Sequence, residues 1–458
     1  MNGIEFDPEL IARYDRPGPR YTSYPTAPQF RADFPVTQLR EQLQASNASG
    51  RPLSLYLHIP FCEHLCFYCA CTKVVTRHRE WGGPYVTRLE KEMRLWLRDI
   101  DHERPVVQLH LGGGTPTFLQ RGDFERLLDA LHRHFHLLDA DRGEYGIEVD
   151  PRALEPGTLA LLRQAGWNRL SMGVQDLEEQ VQKAVHREQS LELTAAVLAE
   201  ARALGFASIS LDLIYGLPFQ SPASFARTLE AIIALRPDRL SLFNYAHLPE
   251  RFAPQRRIRA EDLPSPAQKL QILQESIATL QTAGYVYIGM DHFALPDDEL
   301  AMAQERGDLY RNFQGYSTHA EADLLALGMS AISSVGPLYS QNQKELAGWE
   351  QAIDAGELAL ERGLLLSRDD QLRREIITRL ICDFRLRIGE IEAKWDIQFR
   401  SYFAAALPRL DTLAADGLIE HNDEEIRVTP RGRLLVRHVC MVFDAYLGHS
   451  TTQFSKVI

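Results

Sequence analysis

The sequence predicts an α/β fold built from six strand–helix units arranged as a β/α barrel. Short apolar runs recur at 53–60, 106–111, 145–149, 168–173, 208–215 and 239–246, each ending in Gly, Pro or polar residues. Helix-period segments lie between them near 83–98, 121–135, 154–164, 189–204 and 223–235. Alternation at this spacing implies parallel strands joined by right-handed crossovers. Every distinctive polar cluster falls at the end of an apolar run: the cysteines, the Gly112 run, Glu148, Gln175, Asp212 and Ala246-His247. Six units suit an open or closed barrel better than a flat doubly wound sheet, and in a barrel those ends share the face where catalytic sites assemble.

Taken in order, residues 1–50 have weak periodicity, and Pro17-Gly18-Pro19 and Tyr24-Pro25 block continuous helix. This reads as an extended strap followed by a short helix. The strap either drapes over the core or closes over a site through Arg20, Tyr21 and Tyr24. Among the barrel helices, 223–235 shows its physics clearly: Ser221 as N-cap, Pro222 in the first turn, then Phe225, Leu229, Ile232 and Ile233 on one face. Beyond about residue 365 helices continue without strands, broken by Gly417-Leu-Ile-Glu420 and Ile426-Arg-Val428 around a polar turn. That predicts a mainly helical, winged-helix-like domain. Arg431, Arg433 and Arg437 follow the wing, but an acidic chain without a flanking basic patch favours a structural cap or partner surface over DNA binding.

Bulk properties narrow the class. A chain of 458 residues accommodates a large catalytic domain and a smaller one. Its formal charge of −12 argues against broad nucleic-acid or anionic-membrane binding. The N-terminal residues hold no apolar signal core, and no run approaches the roughly eighteen apolar residues of a membrane span. Six cysteines, most of them in one cluster, fit a reducing compartment, and the cytoplasm is the expected setting.

Four cysteines form the run Cys62-x-x-x-Cys66-x-x-Cys69-x-Cys71 directly after the first apolar segment. Soft thiolates held this closely favour an iron–sulfur cluster or zinc. The three-then-two spacing differs from the C-x-x-C pairs of zinc ribbons and from the bacterial ferredoxin run. A four-iron cluster held by only three of these cysteines leaves one iron open to another ligand, Cys71 could instead be a fourth ligand, and a structural zinc would use all four thiols. Phe61, Phe67 and Tyr68 would limit water access and tune the cluster potential. Cys382 and Cys440 stand alone in apolar helical contexts and read as core. Gly112-Gly-Gly-Thr115 offers close backbone approach and exposed N–H groups, or else a tight structural turn. It is not a Walker loop, because the Lys-Ser/Thr ending is absent. His58 and His292 are candidate acids or bases, although a strand histidine is more often a satisfied interior residue.

The strand-loop Tyr56-x-His58-Ile-Pro-Phe-Cys62 through Cys71 resembles the radical S-adenosylmethionine (SAM) superfamily. Further segments narrow the resemblance to the oxygen-independent coproporphyrinogen III oxidases, also called coproporphyrinogen dehydrogenases. They are Gly18-Pro-Arg-Tyr-Thr-Ser-Tyr-Pro25, Gly112-Gly-Gly-Thr-Pro-Thr117, Glu148-Val-Asp-Pro-Arg152 and Arg169-Leu-Ser-Met-Gly-Val-Gln-Asp176. Asp212-Leu-Ile-Tyr-Gly-Leu-Pro218, Asn244-Tyr-Ala-His-Leu-Pro249, Gly289-Met-Asp-His-Phe293 and the C-terminal Gln453-Phe-Ser-Lys-Val-Ile458 continue it across essentially the whole chain.

The resemblance implies a partial (β/α)6 TIM-type barrel over 51–365, a strap over 1–50 near the active-site mouth, and a helical domain over 366–458. It implies a [4Fe-4S] cluster on Cys62, Cys66 and Cys69, with Cys71 close by but not ligating. Tyr56, Gly113 and Glu148 would contact the SAM on the cluster, with Ile332 packed near it. A second SAM would meet Tyr68, Gly114, Thr115, Gln175, Arg187, Asp212 and Ala246. A buried salt bridge between Asp212 and Arg187 would explain the same two residues. Gln314, in Asn312-Phe-Gln-Gly-Tyr316, resembles a further site segment. Tyr68 stands where the family often has Phe, and Ala70 where Gly is common; Tyr68 keeps the aromatic face.

The activity implied is removal of a propionate β-hydrogen of coproporphyrinogen III by a 5′-deoxyadenosyl radical, with loss of carbon dioxide and one electron to leave a vinyl group. Done twice, this gives protoporphyrinogen IX in haem biosynthesis. A tetracarboxylate substrate needs local cations, and Arg20 is a candidate. Expected partners are an electron donor such as a flavodoxin or ferredoxin and an unknown acceptor, with no nucleic acid, no membrane and a monomeric chain. The competing readings are a related radical SAM haem chaperone or methyltransferase, and a non-enzymatic haem- or zinc-binding module.

Overall fold

A computed structural model describes residues 3–139 and 142–447, so Gln453–Ile458 lies outside the described residues. The chain divides into two compact units that interleave along the sequence. The barrel unit takes residues 30–269 and 321–365, and the second takes the described parts of 1–29, 270–320 and 366–458.

The barrel strands fall on the apolar runs: β1 (Leu53–Ile59), β2 (Pro105–Gly113), β3 (Glu144–Val149), β4 (Arg169–Gln175), β5 (Ser208–Tyr215) and β6 (Arg239–Asn244). Between them lie α1 (Gly82–Trp96), α2 (Arg121–His134), α3 (Thr158–Gln164), α4 (Leu191–Ala203) and α5 (Pro222–Ala234). Neighbours pair in parallel in the order β6-β5-β4-β3-β2-β1. Each strand is laid beside its predecessor on the same side, which separates a barrel from a doubly wound sheet, whose order reverses.

A further strand that the periodicity did not reveal, β7 (Asp323–Leu327), pairs in parallel with the other edge of β1. Antiparallel β8 (Ile332–Val335), β9 (Leu338–Asn342) and β10 (Leu360–Leu365) follow it. Among the described residues no pairing joins β6 back to β7, so the barrel is open. β1 is buried along its length except for half-buried Tyr56, which is why its run is apolar almost throughout. At α5 the Ser221 hydroxyl accepts the Ser224 N–H at 3.1 Å and the Ser224 hydroxyl accepts the Ser221 N–H at 2.9 Å, a reciprocal cap. Phe225, Leu229 and Ile232 are buried beneath it, with Ile233 half-buried.

Helix α1 fastens β7 to the sheet. The buried Glu92 carboxyl accepts the Gly328 N–H at 2.8 Å, the Asn342 amide at 2.6 Å and the Trp349 indole N–H at 3.2 Å. Two turns earlier, the Tyr85 hydroxyl donates to the His58 carbonyl at 2.7 Å and accepts the Met329 N–H at 3.2 Å. Gly328 has φ +93°, and a Cβ there would lie 2.6 Å from both the His58 carbonyl and the Tyr85 hydroxyl. Only glycine makes this turn.

The second unit carries the strap as far as residue 29, the rest of 1–50 belonging to the barrel unit. The strap's extended reading needs a correction: Pro8–Tyr14 is helical, with the Asp7 carboxylate accepting the Leu10 N–H at 2.9 Å and Pro8 opening the first turn. The Asp-Pro cap outweighs the weak periodicity. Tyr21 donates to Asp444 at 2.9 Å, and the Tyr24 hydroxyl accepts the Ala445 N–H at 2.9 Å. Strand Arg385–Arg387 pairs antiparallel with Glu425–Val428, which pairs with Ile419–His421. With helices Arg368–Asp383, Ile388–Trp395 and Leu407–Ala415 this forms the winged-helix-like element. The three arginines after the wing turn inward: Arg431 to Asp7, Arg433 over the Phe384 ring, and Arg437 to the Gly18 and Pro19 carbonyls. Cys382 and Cys440 are buried, as their apolar contexts indicated.

Burial pushes Glu92 from an ordinary value near 4.5 up to about 7, its three N–H donors offsetting only part of the rise. Between those two values the folded chain keeps a proton that the unfolded chain has released. Stability therefore falls as pH rises through that window and is flat above it. Glu92→Gln should abolish this slope, on the order of 2–3 kcal/mol between pH 5 and 7.5. Urea unfolding of both proteins at the two pH values checks it; equal slopes would show that Glu92 is already ionised at pH 5.

Candidate active site

The C-terminal ends of β1 to β5 surround one pocket of about 190 Å³ in the barrel unit. Its wall begins with the cysteine loop, which is held by backbone bonds along its length. Gly114 N–H donates to the Ile59 carbonyl and Thr115 N–H to the Phe61 carbonyl, both at 2.8 Å. A Cβ on Gly114 would meet the Pro60 carbonyl at 2.5 Å, so the glycine lets β2 run against the loop. On the far side Phe67 N–H donates to the Val185 carbonyl at 3.0 Å and Gln255 to the Tyr68 carbonyl at 3.1 Å. Phe67 stacks on His186 at 5.1 Å, and the Arg257 guanidinium also lies 5.1 Å from the Phe67 ring centroid.

His58 secures the loop's exit. Its Nε2 lies 3.0 Å from the Thr72 carbonyl and must donate there, which leaves Nδ1 to accept the Tyr56 hydroxyl at 3.1 Å. Burial lowers its pKa and keeps it neutral. His58 is thus a satisfied interior residue that ties loop to strand. The same holds for His292 in the second unit, which donates to the Met290 carbonyl at 2.7 Å and is pushed down to about 4 by burial.

Cys62, Cys66, Cys69 and Cys71 all line the pocket, together with Tyr68, Gly113, Gly114 and Thr115. Glu148, Gln175, Arg187 and Asp212 join them from β3, β4, the loop after β4 and β5. Tyr56, Ile332 and Ala246 do not line it: Tyr56 stacks on His110 at 6.0 Å, Ile332 begins β8, and Ala246 is exposed after β6. Arg20 and Gln314 belong to the second unit, where Arg20 pairs with Asp291.

Three expectations change in detail. The Gly-rich run does not present free N–H groups: Gly114 and Thr115 hold the loop, and Gly113 N–H donates to Glu148 at 3.2 Å. Phe61 does not screen the thiols from water; it is a core residue packed against Phe118 at 5.0 Å and Tyr85 at 5.3 Å. Asp212 and Arg187 do not pair: Asp212 accepts from Ser241, and Arg187 reaches Asp150 at 3.4 Å.

Asp150 and Arg152 are the functional candidates that sequence reasoning missed, although both lie inside the quoted Glu148–Arg152 segment. Asp150 binds Arg152 at 2.6 Å as well as Arg187, and burial would raise it, but the two guanidiniums hold it at about 2. Both arginines then face one thiol: Arg152 lies 3.6 Å and Arg187 3.8 Å from Cys66 Sγ. Cys62 Sγ lies 3.4 Å from the Thr115 hydroxyl, and burial pushes its thiol up to about 11. The hydrogen bond from Cys71 draws Cys69 down to about 5 beside the Lys73 ammonium. Glu148 is raised by desolvation, but His110 at 3.4 Å and the Gly113 N–H outweigh it and hold the carboxyl below its usual range. Burial raises Asp212 to about 6.

This donor set fits an iron–sulfur cluster. Several thiols on one loop, flanked by two arginines and a lysine, suit ligands that carry charge as thiolates. Among the described residues no three His, Cys, Asp or Glu side chains converge as a cage for a single ion. SAM fits the remaining polar lining.

The Radical SAM superfamily model matches residues 56–232, and the HemN C-terminal domain model matches residues 366–435. A Pseudomonas aeruginosa protein named oxygen-independent coproporphyrinogen III oxidase is 55% identical over 460 residues, 100% of both chains. The Escherichia coli protein of the same name is 52% identical over 457 residues, 99% of each. The solved structure of coproporphyrinogen III oxidase from Escherichia coli, described as a radical SAM enzyme, gives a TM-score of 0.92 at 51% identity, covering 97% of this chain and 100% of that one.

Two cations beside the Cys66 sulfur would favour the reduced state of a cluster bound there. Arg152→Met should therefore make the cluster harder to reduce. At a fixed potential the oxidised-to-reduced ratio should rise about tenfold, which for one electron is about 59 mV. A redox titration followed by electron paramagnetic resonance reads this directly, and an unmoved midpoint would remove Arg152 from the site.

Proposed function

The chain belongs to the oxygen-independent coproporphyrinogen III oxidases of the radical SAM superfamily, and from that premise we infer what its barrel pocket does. It carries out the oxidative decarboxylation of two propionates of coproporphyrinogen III, giving protoporphyrinogen IX for haem biosynthesis without dioxygen. Each propionate loses a β-hydrogen, carbon dioxide and one electron to become a vinyl group. The observation that carries the site reading is the meeting of three cysteine thiols with Glu148, Gln175, Arg187 and Asp212 at the strand ends.

In this reading Cys62, Cys66 and Cys69 hold the [4Fe-4S] cluster. When bound, cluster and SAM supply a carbon-centred radical by one-electron cleavage of SAM. Glu148, held ionised by His110 and the Gly113 N–H, suits the ammonium of the SAM methionine portion; Tyr56 and Ile332, which the resemblance assigns to the same SAM, would act from behind the lining. Tyr68, Gly114, Thr115, Gln175, Arg187, Asp212 and Ala246 serve a second SAM. The register shift between Gly173 and Gln175 places an extra residue in β4 and gives Gln175 a positive φ of 73°, the kind of bulge that re-aims a side chain beside a site. Cys71 keeps its proton on Sγ in the hydrogen bond to Cys69. Arg20 is the candidate cation for the substrate carboxylates, and Gln314 a further site residue.

The same reading divides the chain into a strap over 1–50, the catalytic segment over 51–365 and a helical cap over 366–458. It takes a low-potential donor of the flavodoxin or ferredoxin kind, an external electron acceptor, a monomeric state and a cytoplasmic setting. No helix among the described residues is long and apolar enough to cross a membrane.

The test is an anaerobic assay of reconstituted protein with SAM, a strong reductant, an electron acceptor and coproporphyrinogen III. Protoporphyrinogen IX should form with 5′-deoxyadenosine and methionine. SAM cleavage without porphyrinogen product would reject this substrate. Cys69→Ala should lose most of its iron and acid-labile sulfide, while Cys71→Ser should keep both; equal losses would make Cys71 a ligand.

A further inference from the structure

The hairpin formed by Tyr310–Asn312 and Gly315–Ser317 in the second unit carries a cation with no assigned partner. Arg311 is only 9% exposed, and its guanidinium lies 4.7 Å over the ring of Tyr316, its register partner. Its Nε and Nη1 are buried without a hydrogen-bond partner, and among the described residues no carboxylate forms an ion pair with it. On the same turn the Gln314 Nε2 is also buried and unpartnered. The carboxylate that this neighbourhood offers, Asp291, is already bonded to Arg20. Arg437 adds another positive charge, its donors engaged by the Gly18 and Pro19 carbonyls. His292 packs edge-on to Tyr316 at 5.4 Å and, pushed down by burial and then by the Arg311 charge, stays neutral.

A chain of net charge −12 has thus gathered three arginines around one aspartate in this unit. A buried guanidinium without hydrogen bonds is destabilising, and proteins keep such groups where a ligand completes them. The Tyr316 ring supports the guanidinium without taking any of its N–H donors, and a planar fork of this kind matches a carboxylate in two-point geometry. We propose that Arg311, with the Gln314 amide beside it in the hairpin, is a recognition site for a carboxylate, namely a propionate of the substrate. The identity of that carboxylate rests on the substrate reading above; the anion site itself rests on the hairpin.

The experiment titrates the reconstituted anaerobic protein with coproporphyrin III, the stable tetracarboxylate, and with its tetramethyl ester, following tryptophan quenching. Wild type should prefer the acid. Arg311→Met should lose that preference by roughly ten- to a hundredfold, the loss expected for a charge-assisted pair, and Arg311→Lys should retain part of it. The melting temperature of Arg311→Met should hold or rise, since an unpaired buried charge is removed. A structural arginine would do the reverse, and a fall in melting temperature with the acid-over-ester ratio unchanged in both variants overturns the proposal. Should wild type cleave SAM yet make no protoporphyrinogen, the substrate reading fails while the acid-over-ester ratio still judges the Arg311 site.

Discussion

The site depends on the backbone contact between the end of β2 and the start of the cysteine loop. Gly114 and Thr115 extend the parallel pairing beyond β1 by donating to the Ile59 and Phe61 carbonyls. No side chain fits between them, since a Cβ on Gly114 would collide with the Pro60 carbonyl. The loop therefore leaves the barrel at one height and one direction, and its thiols face the ends of the neighbouring strands. His58 fixes the other end by reaching the Thr72 carbonyl, and Tyr85 in turn holds the His58 carbonyl. A loop with ten intervening side chains is given little conformational freedom by five or so well-made backbone bonds.

The second constraint is charge. Glu148, Asp150 and Asp212 face Arg152, Arg187 and Lys73 across the same pocket. Asp150 organises the arginines: ionised at any working pH, it holds both guanidiniums so that each also reaches Cys66. Without it two like charges would share a buried space. The pocket is locally balanced within an acidic chain, so a negatively charged cluster meets cations, and the cationic SAM meets carboxylates, that are fixed beforehand and need no reorganisation.

Much of this was legible in the sequence, for a physical reason. Parallel strands buried on both faces must be nearly continuous apolar runs, and the six runs mark β1 to β6 to within a few residues. Because all six point the same way, the polar residues at their ends had to share a face. What escaped was information that is not local. β7 is five residues long and joins β1 from across some 260 residues of intervening chain, so no periodicity near either strand announces it. The interleaving of the two units is hidden for the same reason. The glycine N–H groups were misjudged because composition shows that a backbone approach is possible but not which backbone arrives first. Asp150 and Arg152 stood in a quoted segment, yet nothing in their types said that their shared neighbour was a cysteine.

Two buried ionisable groups of this chain show how architecture and site can be told apart. Glu92 sits in the barrel unit with three N–H donors, one from a turn, one from an amide and one from an indole. Its partners all come from the fold, and its removal would leave donors unsatisfied in the core. Arg311 is the opposite case: it is charged, almost as deeply buried, supported on one aromatic face, and without a partner for its N–H groups. The fold offsets part of the cost of burying Glu92 with hydrogen bonds and offers the Nε and Nη1 of Arg311 none. An uncompensated buried charge calls for an explanation, and a ligand group from outside the fold is one. The contrast lies in the partners, since both residues are invisible to a reading of hydropathy. Arg433 shares part of that signature, its Nε and Nη1 buried without partners over the Phe384 ring; what marks the Arg311 hairpin as ligand-facing is the orphaned Gln314 amide beside the guanidinium, in a family whose substrate carries four carboxylates.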